Sequence, residues 1–317
     1  MPYLIEKCTF TAPLHVGHER TSNSLESAEM ILRSDTLFSA MTHEAVRQGC
    51  MAEWIEAVSS GRIAFSDMLP YHGDTYYLPK PACFVPAKER PVQDENSSVK
   101  KKQMKKLQVL PPEALEKFMR GEEIQVDQVP DFGRGELQQR LHRARDPKDD
   151  PKPYYVGRYF FHQGCGLYTI VRAEGQADAE LFRHLFKDLG VTGVGGKVSS
   201  GLGKYETMEM PVPKPLEKML ADEGAPSQVL LSTALPQEDE LPSAMEGAAT
   251  VVLRRAGFVQ SSTYISPLMK RRTLYMFRSG STFRRRFRGA LMKVGDGEGA
   301  HPVYRCALGL FAGVRTS

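Results

Sequence analysis

Apolar and polar side chains alternate from Tyr3 to Phe10, a pattern that predicts an opening β-strand. Ser34 reads as the N-cap of the first helix. Its hydroxyl can accept a main-chain N–H there, and Asp35 suits the positive end of the helix dipole. Leu37, Phe38, Met41, Ala45 and Val46 then share one helical face, and Gly49 suits the stop. A short helix follows from Ala52 to Val58, ended by Gly61. From Ile63 to Lys80 the text predicts short strands broken by turns, with Tyr76 to Pro81 extended because each proline disfavours helix before it. Pro111 to Gly121 predicts a helix with Leu115, Phe118 and Met119 turned inward. Strands are predicted at Tyr154 to Phe161 and Leu167 to Arg172, around the turn Gln163-Gly164. Ala179 to Leu189 is an amphipathic helix with Leu181, Phe182, Leu185, Phe186 and Leu189 on its buried side. Beyond Gln228 strand follows strand: Val229 to Leu235, Thr250 to Arg255, Thr273 to Phe277 and Val303 to Leu310.

The elements give an α+β chain with antiparallel turns rather than regular βαβ repeats. Its natural break is the Pro211, Pro213, Pro215 cluster. This sets an N-terminal domain over 1–210, a proline-containing linker over 211–227 and a C-terminal domain over 228–317. Residues 142–153, HRARDPKDDPKP, are charged and proline-rich, as in a linker or the tip of a long excursion. Val99 to Lys106 holds five lysines and reads as a solvated loop or a phosphate contact.

Composition adds bounds rather than identity. The 317 residues suffice for one large domain or two ordinary ones, and 41% hydrophobic with 25% charged is ordinary for a globular protein. A net charge of +4 says little until its distribution is known. The five cysteines form no CxxC pair, so reduced thiols are expected rather than a disulfide framework or zinc site. The N-terminus carries no signal-peptide pattern and no apolar run reaches membrane length, so a cytoplasmic protein is expected.

The sharpest local feature is the loop Gly193-Val194-Gly195-Gly196-Lys197-Val198-Ser199-Ser200-Gly201-Leu202-Gly203-Lys204, between a helix and the predicted strand Tyr205 to Met210. Its five glycines free the backbone to approach a ligand, its hydroxyls and lysines suit phosphates, and its N–H groups can point one way. It is neither a Walker A loop nor a dinucleotide fingerprint, because the helix precedes it and a strand follows. A flexible hairpin turn with no ligand is the other reading of the glycines alone.

Nine cations and no acid lie between Lys270 and Lys293: Lys270, Arg271, Arg272, Arg278, Arg284, Arg285, Arg286, Arg288 and Lys293. Arginine forks suit phosphates, so the cluster points to nucleic acid. The interleaved Tyr275, Phe277, Phe283 and Phe287 either stack on bases or form the inner face of strands. Catalysis is poorly supported. His15 and His18 lack a carboxylate or cysteine set to complete a metal site, and Cys50 has no base nearby in sequence. A metal-free ribonuclease using histidine stays open.

Several blocks together resemble one family, the RAMP-type subunit four of the Csm complex of type III-A CRISPR systems. They are His15-Val16-Gly17 with Arg33-Ser34-Asp35-Thr36-Leu37-Phe38-Ser39-Ala40, then Leu69-Pro70-Tyr71 with Tyr77-Leu78-Pro79-Lys80-Pro81, and the loop Gly193 to Gly203. Leu231 to Pro236, Arg255-Ala256-Gly257-Phe258 and Gly280-Ser281-Thr282-Phe283 complete the set. The resemblance implies two ferredoxin-like (RRM-like) domains with antiparallel sheets, a glycine-rich loop and a β-hairpin thumb, with insertions at about 85–160 and the 142–153 excursion as its tip. It implies a subunit without an active site, cofactor or metal, which holds the 5′ tag of the CRISPR RNA. Its neighbours would be the large polymerase-like subunit and the backbone RAMP subunit, with target RNA met indirectly. The expected RNA contacts are His15, Arg33, Gly193, Gly195, Gly196, Lys197, Ser199, Ser200, Gly201, Gly203, Lys204, Lys270, Arg271, Arg272, Arg284, Arg285 and Arg286. The alternative is a metal-independent RAMP-type endoribonuclease cutting repeat RNA, with His15 and His18 as its candidate acid/base pair.

Overall fold

The computed structural model describes residues 3–17, 24–83, 104, 106–125, 129–142, 150, 152–259, 269–295 and 301–315. His18 and most of the lysine run at 99–106 lie outside them, as does most of the 142–153 stretch. Strand β1 (Tyr3–Phe10) pairs antiparallel with two distant segments. Helices α1 (Ser34–Gln48) and α2 (Met51–Ser59) follow it. Short strands β2 (Ile63–Phe65), β3 (Leu69–His72), β4 (Thr75–Tyr76) and β5 (Leu78–Pro79) come next. Beyond them lie β6 (Val109–Leu110), α3 (Pro112–Met119) and a ten-pair hairpin of β7 (Gly133–His142) and β8 (Lys152–Phe161). Strand β9 (Cys165–Ala173), helix α4 (Gln176–Thr192) and strand β10 (Tyr205–Met210) close the N-terminal half.

The main sheet runs β10-β1-β9-β3-β4, with β2 also on β9, and all its pairs are antiparallel. Period-two alternation gives it two apolar faces. Cys8, Leu167 and Val171 pack under α1, α2 and α4. Ile5, Tyr168 and Ile170 pack against α3 and later elements. Trp54 is wholly buried on the first face, stacked on Phe38 and Phe65, and its indole N–H donates to Thr42 Oγ1 at 3.0 Å.

Residues expected as a linker carry helix α5 (Lys214–Ala221), whose Leu216, Met219 and Leu220 cover the second face of the main sheet. The C-terminal half has β11 (Ser227–Leu230), the short helix α6 (Leu241–Met245), β12 (Val252–Arg255), β13 (Leu274–Phe277) and β14 (Thr282–Phe283). It ends with β15 (Leu291–Lys293), β16 (Tyr304–Cys306) and β17 (Phe311–Val314). A three-stranded sheet β14-β11-β17 is flanked by the pairs β12-β13 and β15-β16. Of the single strand expected from Val303 to Leu310, only Tyr304–Cys306 forms one, as β16, and β17 begins beyond it at Phe311. Phe277, Phe283 and Phe287 form a small core, as the inner-face reading of the aromatics requires, while Tyr275 is exposed. No helix among the described residues is long and apolar enough to cross a membrane.

The N-cap expected at Ser34 is not made by Ser34. Arg33 occupies that position without a side-chain cap, and the Ser34 N–H donates to Asp67 Oδ1 at 2.8 Å. The same Oδ1 accepts the Thr233 N–H at 2.8 Å, and Oδ2 takes Arg33 at 3.2 Å. The Ser34 hydroxyl accepts a second bond from the Thr233 N–H at 2.9 Å. The first amide of α1, the Arg33 guanidinium and an amide of the C-terminal half therefore meet on one buried carboxylate. Gly49 does end α1, in the left-handed region at φ 76°.

Removing one partner of a buried charged network leaves the others unsatisfied. Asp67→Ala should cost about 3–5 kcal/mol of unfolding free energy, read as a lower urea midpoint at unchanged slope. A second buried carboxylate predicts a pH effect. Burial pushes Glu6 up to about 7, against the Thr207 hydroxyl bond and the more distant Arg183 guanidinium, which favour its charge. Its folded value lies above its unfolded one, so the unfolded chain ionises first as pH rises. Stability should fall between about pH 4.5 and 7 and stay level above. Glu6→Gln should flatten that fall, by on the order of 2–3 kcal/mol in unfolding titrations at the two pH limits.

Candidate nucleic-acid interface

The glycine-rich loop starts where α4 ends. Gly193 leaves the helix at φ 99°, its N–H donating to Leu189 O at 2.7 Å. The loop then turns back on itself. Val194 N–H donates to Gly203 O at 3.0 Å and Gly203 N–H to Pro13 O at 2.8 Å. Gly196 N–H donates to His15 O at 2.8 Å. A single 3₁₀ turn, Val198–Ser200, forms the tip. The expected array of outward amides is therefore largely corrected: the amides of 193, 194, 196, 200, 201 and 203 are spent inside the protein.

The glycines serve the same packing. A Cβ on Gly203 would stand 1.9 Å from Val194 O, and one on Gly195 would stand 2.5 Å from His15 O, both at positive φ. Gly193 and Gly203 are buried, and the amides of both are engaged within the protein. Gly201 has open space, and with Ser199, Ser200 and Lys204 it forms the exposed tip. Lys197 holds φ 61°, the one positive φ at a non-glycine among the described residues, with its ammonium 5.3 Å above the Tyr154 ring of β8.

His15 anchors the loop from the other side. It is 6% exposed, and its Nδ1 lies 2.7 Å from Gly157 O of β8, so Nδ1–H donates and Nε2 is the free ring nitrogen of the neutral form. Burial lowers its pKa; the Gly157 carbonyl opposes this, and Lys197 and Arg140 add to it. The β7-β8 hairpin joins the same junction through Leu14 and Tyr159, paired at 2.9 and 2.7 Å. Beyond it the hairpin carries Leu137 and Leu141 at 61% and 63% exposure on one face.

Between these elements and the C-terminal half lies a cleft of about 800 Å³. His15, Gly17 and Glu29 from the β1–α1 connection line it, with Arg33, Asp35, His43, Glu44 and Arg47 of α1 and its cap. Gly193, Gly195, Gly196 and Val198 come from the loop, and Arg254, Arg255, Arg271 and Arg305 from the far half. Six arginines thus face three acids. Arg255 grips Asp35 through two bonds of 2.8 and 2.7 Å, and Arg305 contacts the same carboxylate. Burial pushes Asp35 up and Arg255 down, and Arg305 and Arg271 further disfavour charge on Arg255.

The cleft gathers His15, Arg33, Gly193, Gly195, Gly196 and Arg271 of the expected contacts. Lys197, Ser199, Ser200, Gly201, Gly203 and Lys204 do not line it. Neither do Lys270, Arg272, Arg284 and Arg285, which are exposed elsewhere. Arg286 is corrected to a structural role: it donates to Gln228 Oε1 at 2.7 Å and Leu220 O at 2.9 Å, satisfying the end of α5. Sequence reasoning missed Arg47, Arg254, Arg255 and Arg305. The Arg254-Arg255 pair ahead of Gly257 was the available signal for two of them. No cluster of three or more His, Cys, Asp or Glu able to hold a metal occurs among the described residues.

Known proteins give the arrangement its family. A family model described as CRISPR Csm4 C-terminal domain matches residues 223–314. The protein named CRISPR system Cms protein Csm4 from Mycobacterium tuberculosis is 32% identical over 295 residues, 91% of this chain and 92% of that one. Its namesake from Streptococcus thermophilus is 27% identical over 301 residues, 92% of this chain and 93% of that one. A chain in the crystal structure of the Csm3–Csm4 subcomplex of the type III-A CRISPR-Cas interference complex superposes with a TM-score of 0.68 at 14% identity, covering 99% of this chain and 100% of that one. A chain in the Csm1–Csm4 cassette in complex with cA4 gives 0.61 at 20% identity, covering 100% and 99%. These two likenesses concern the fold; the full-length identity to the mycobacterial relative carries the assignment, and the chain belongs to the Csm4 family of CRISPR proteins.

Proposed function

We propose that this chain holds the 5′ tag of a CRISPR RNA in a type III-A interference complex without cutting it. The carrying observation is the arginine-lined cleft between the glycine-rich loop, the first turn of α1 and the C-terminal half. Guanidinium forks read phosphates by paired hydrogen bonds, and their excess over acids favours a polyanion. On this reading the tip, Ser199 to Gly201 with Lys197 and Lys204, adds contacts to the RNA backbone outside the cleft. The large subunit and the backbone RAMP subunit are the proposed protein neighbours, since structural relatives occur in a Csm1–Csm4 cassette and a Csm3–Csm4 subcomplex. The work of such a complex places it in the cytoplasm.

The ferredoxin-like reading is supported by the main sheet. Its order β10-β1-β9-β3, with α1 and α4 as the two crossovers on one face, is that of a β-α-β-β-α-β unit. The C-terminal half supports it less, since its sheet has three strands and α6 is one short turn of helix. The β7-β8 hairpin is the proposed thumb, because it projects from the cleft's rim and leads to the charged 142–153 stretch.

A non-cutting role is favoured by what His15 does. Its ring is buried with Nδ1 held by the hairpin base, and its carbonyl is held by the loop. Incubation of the purified chain with repeat RNA should give no cleavage; a cut abolished by His15→Ala would replace this reading with the endoribonuclease one. For binding, the assembled complex should co-purify with short RNA of uniform 5′ end. Lys197→Ala with Lys204→Ala should weaken RNA binding and reduce its log–log salt slope by about two. An unchanged slope would remove the tip from the interface.

A further inference from the structure

The charges on the cleft floor do not balance. Of the three acids that line it, Glu29 lies 3.6 Å from Arg33, and Glu44 is 2.7 Å from Arg47. Asp67, behind the floor, is taken by Arg33, Ser34 and Thr233. That leaves Asp35 for Arg255, Arg305 and the nearby Arg271. Arg305 is 3% exposed and its Nε is buried without a hydrogen-bond partner. Arg271 also has a buried Nε without a hydrogen-bond partner. Its guanidinium lies alongside Gly257, where a Cβ would stand 3.2 Å from Nη2. Three guanidiniums around one carboxylate, two of them buried, repel one another, and the Nε donors of Arg271 and Arg305 are left unmade. Such a cluster is completed by an anion with several acceptor oxygens in a compact shape.

We propose that Arg255, Arg271 and Arg305 around Asp35 form a phosphate site that seats one phosphate of the bound RNA at the junction of the two halves. The site rests on the reading that the cleft takes RNA, and it goes beyond it by assigning a single buried anchor point. Arg255 and Arg305 are already oriented by Asp35, so the phosphate meets a preformed pair and recruits Arg271. Asp35 sits in the first turn of α1, while all three arginines come from the C-terminal half. The RNA is thereby a tie across the halves as well as a guest between them.

The test uses the purified full chain, with Arg271→Gln to remove the charge and Arg271→Lys to restore it without the fork. Inorganic phosphate at matched ionic strength should raise the melting temperature of the wild type above its value in chloride, and Arg271→Gln should abolish that rise. Without phosphate, Arg271→Gln should melt no lower than the wild type, because it relieves like-charge repulsion. With single-stranded RNA, Arg271→Gln should bind about tenfold more weakly with a salt slope lower by about one, and Arg271→Lys should recover the slope. Equal phosphate response in wild type and Arg271→Gln, or none in the wild type, overturns the phosphate site. RNA binding that Arg271→Gln leaves unchanged in affinity and slope overturns its role as an anchor while the RNA reading stands. A wild type that responds to phosphate but binds no RNA overturns the RNA reading instead.

Discussion

Two carboxylates buried beside the first turn of one helix decide how this molecule is put together. Asp67 holds the opening amide of α1, the amide of Thr233 and the guanidinium of Arg33. Asp35, in the turn itself, holds Arg255 and Arg305. Neither acid could be buried unpaired at tolerable cost, so each fixes several partners at once. Because those partners lie in both halves of the chain, the helix start becomes the hinge point of the whole architecture rather than the end of one element.

The interface depends on that junction. The cleft exists because α1 presents its charged first turn toward the C-terminal half while its apolar face is committed to the main sheet. The glycine-rich loop closes the third side, held by Pro13 and His15 through main-chain bonds. The hairpin is bound to the same segment by Leu14 and Gly157. One short stretch between β1 and α1 thus sets the positions of loop, hairpin and cleft together, which makes the site's geometry a property of the fold rather than of independent loops.

Much of this was legible in the sequence, and the limits have physical causes. Helices α1 and α4 were readable because their apolar residues recur at helical spacing and pack on a sheet. Strand β7 was not, since a hairpin that stands away from the core has no inward face to imprint an apolar alternation, and Leu137 and Leu141 are exposed. The cap on Ser34 was misread because its acceptor comes from 33 residues away. Arg255 and Arg305 escaped for the same reason, their partner Asp35 being 220 and 270 residues distant. The basic run after Lys270 was read as one surface, but the segments flanking β13 and β14 send Arg271 to the cleft and Arg286 to the end of α5.

The crowding of the glycine-rich loop bears on how evolution would record it. Where a methyl group on residue 203 would collide with the carbonyl of Val194, selection against any larger residue acts on folding alone. That glycine would persist through lineages that changed or lost their ligand. The exposed serines at 199 and 200 are free to drift with the guest, whereas Gly201, at φ 81°, is kept by its backbone conformation. In this loop the invariant letters would trace the scaffold, and the variable ones the recognition.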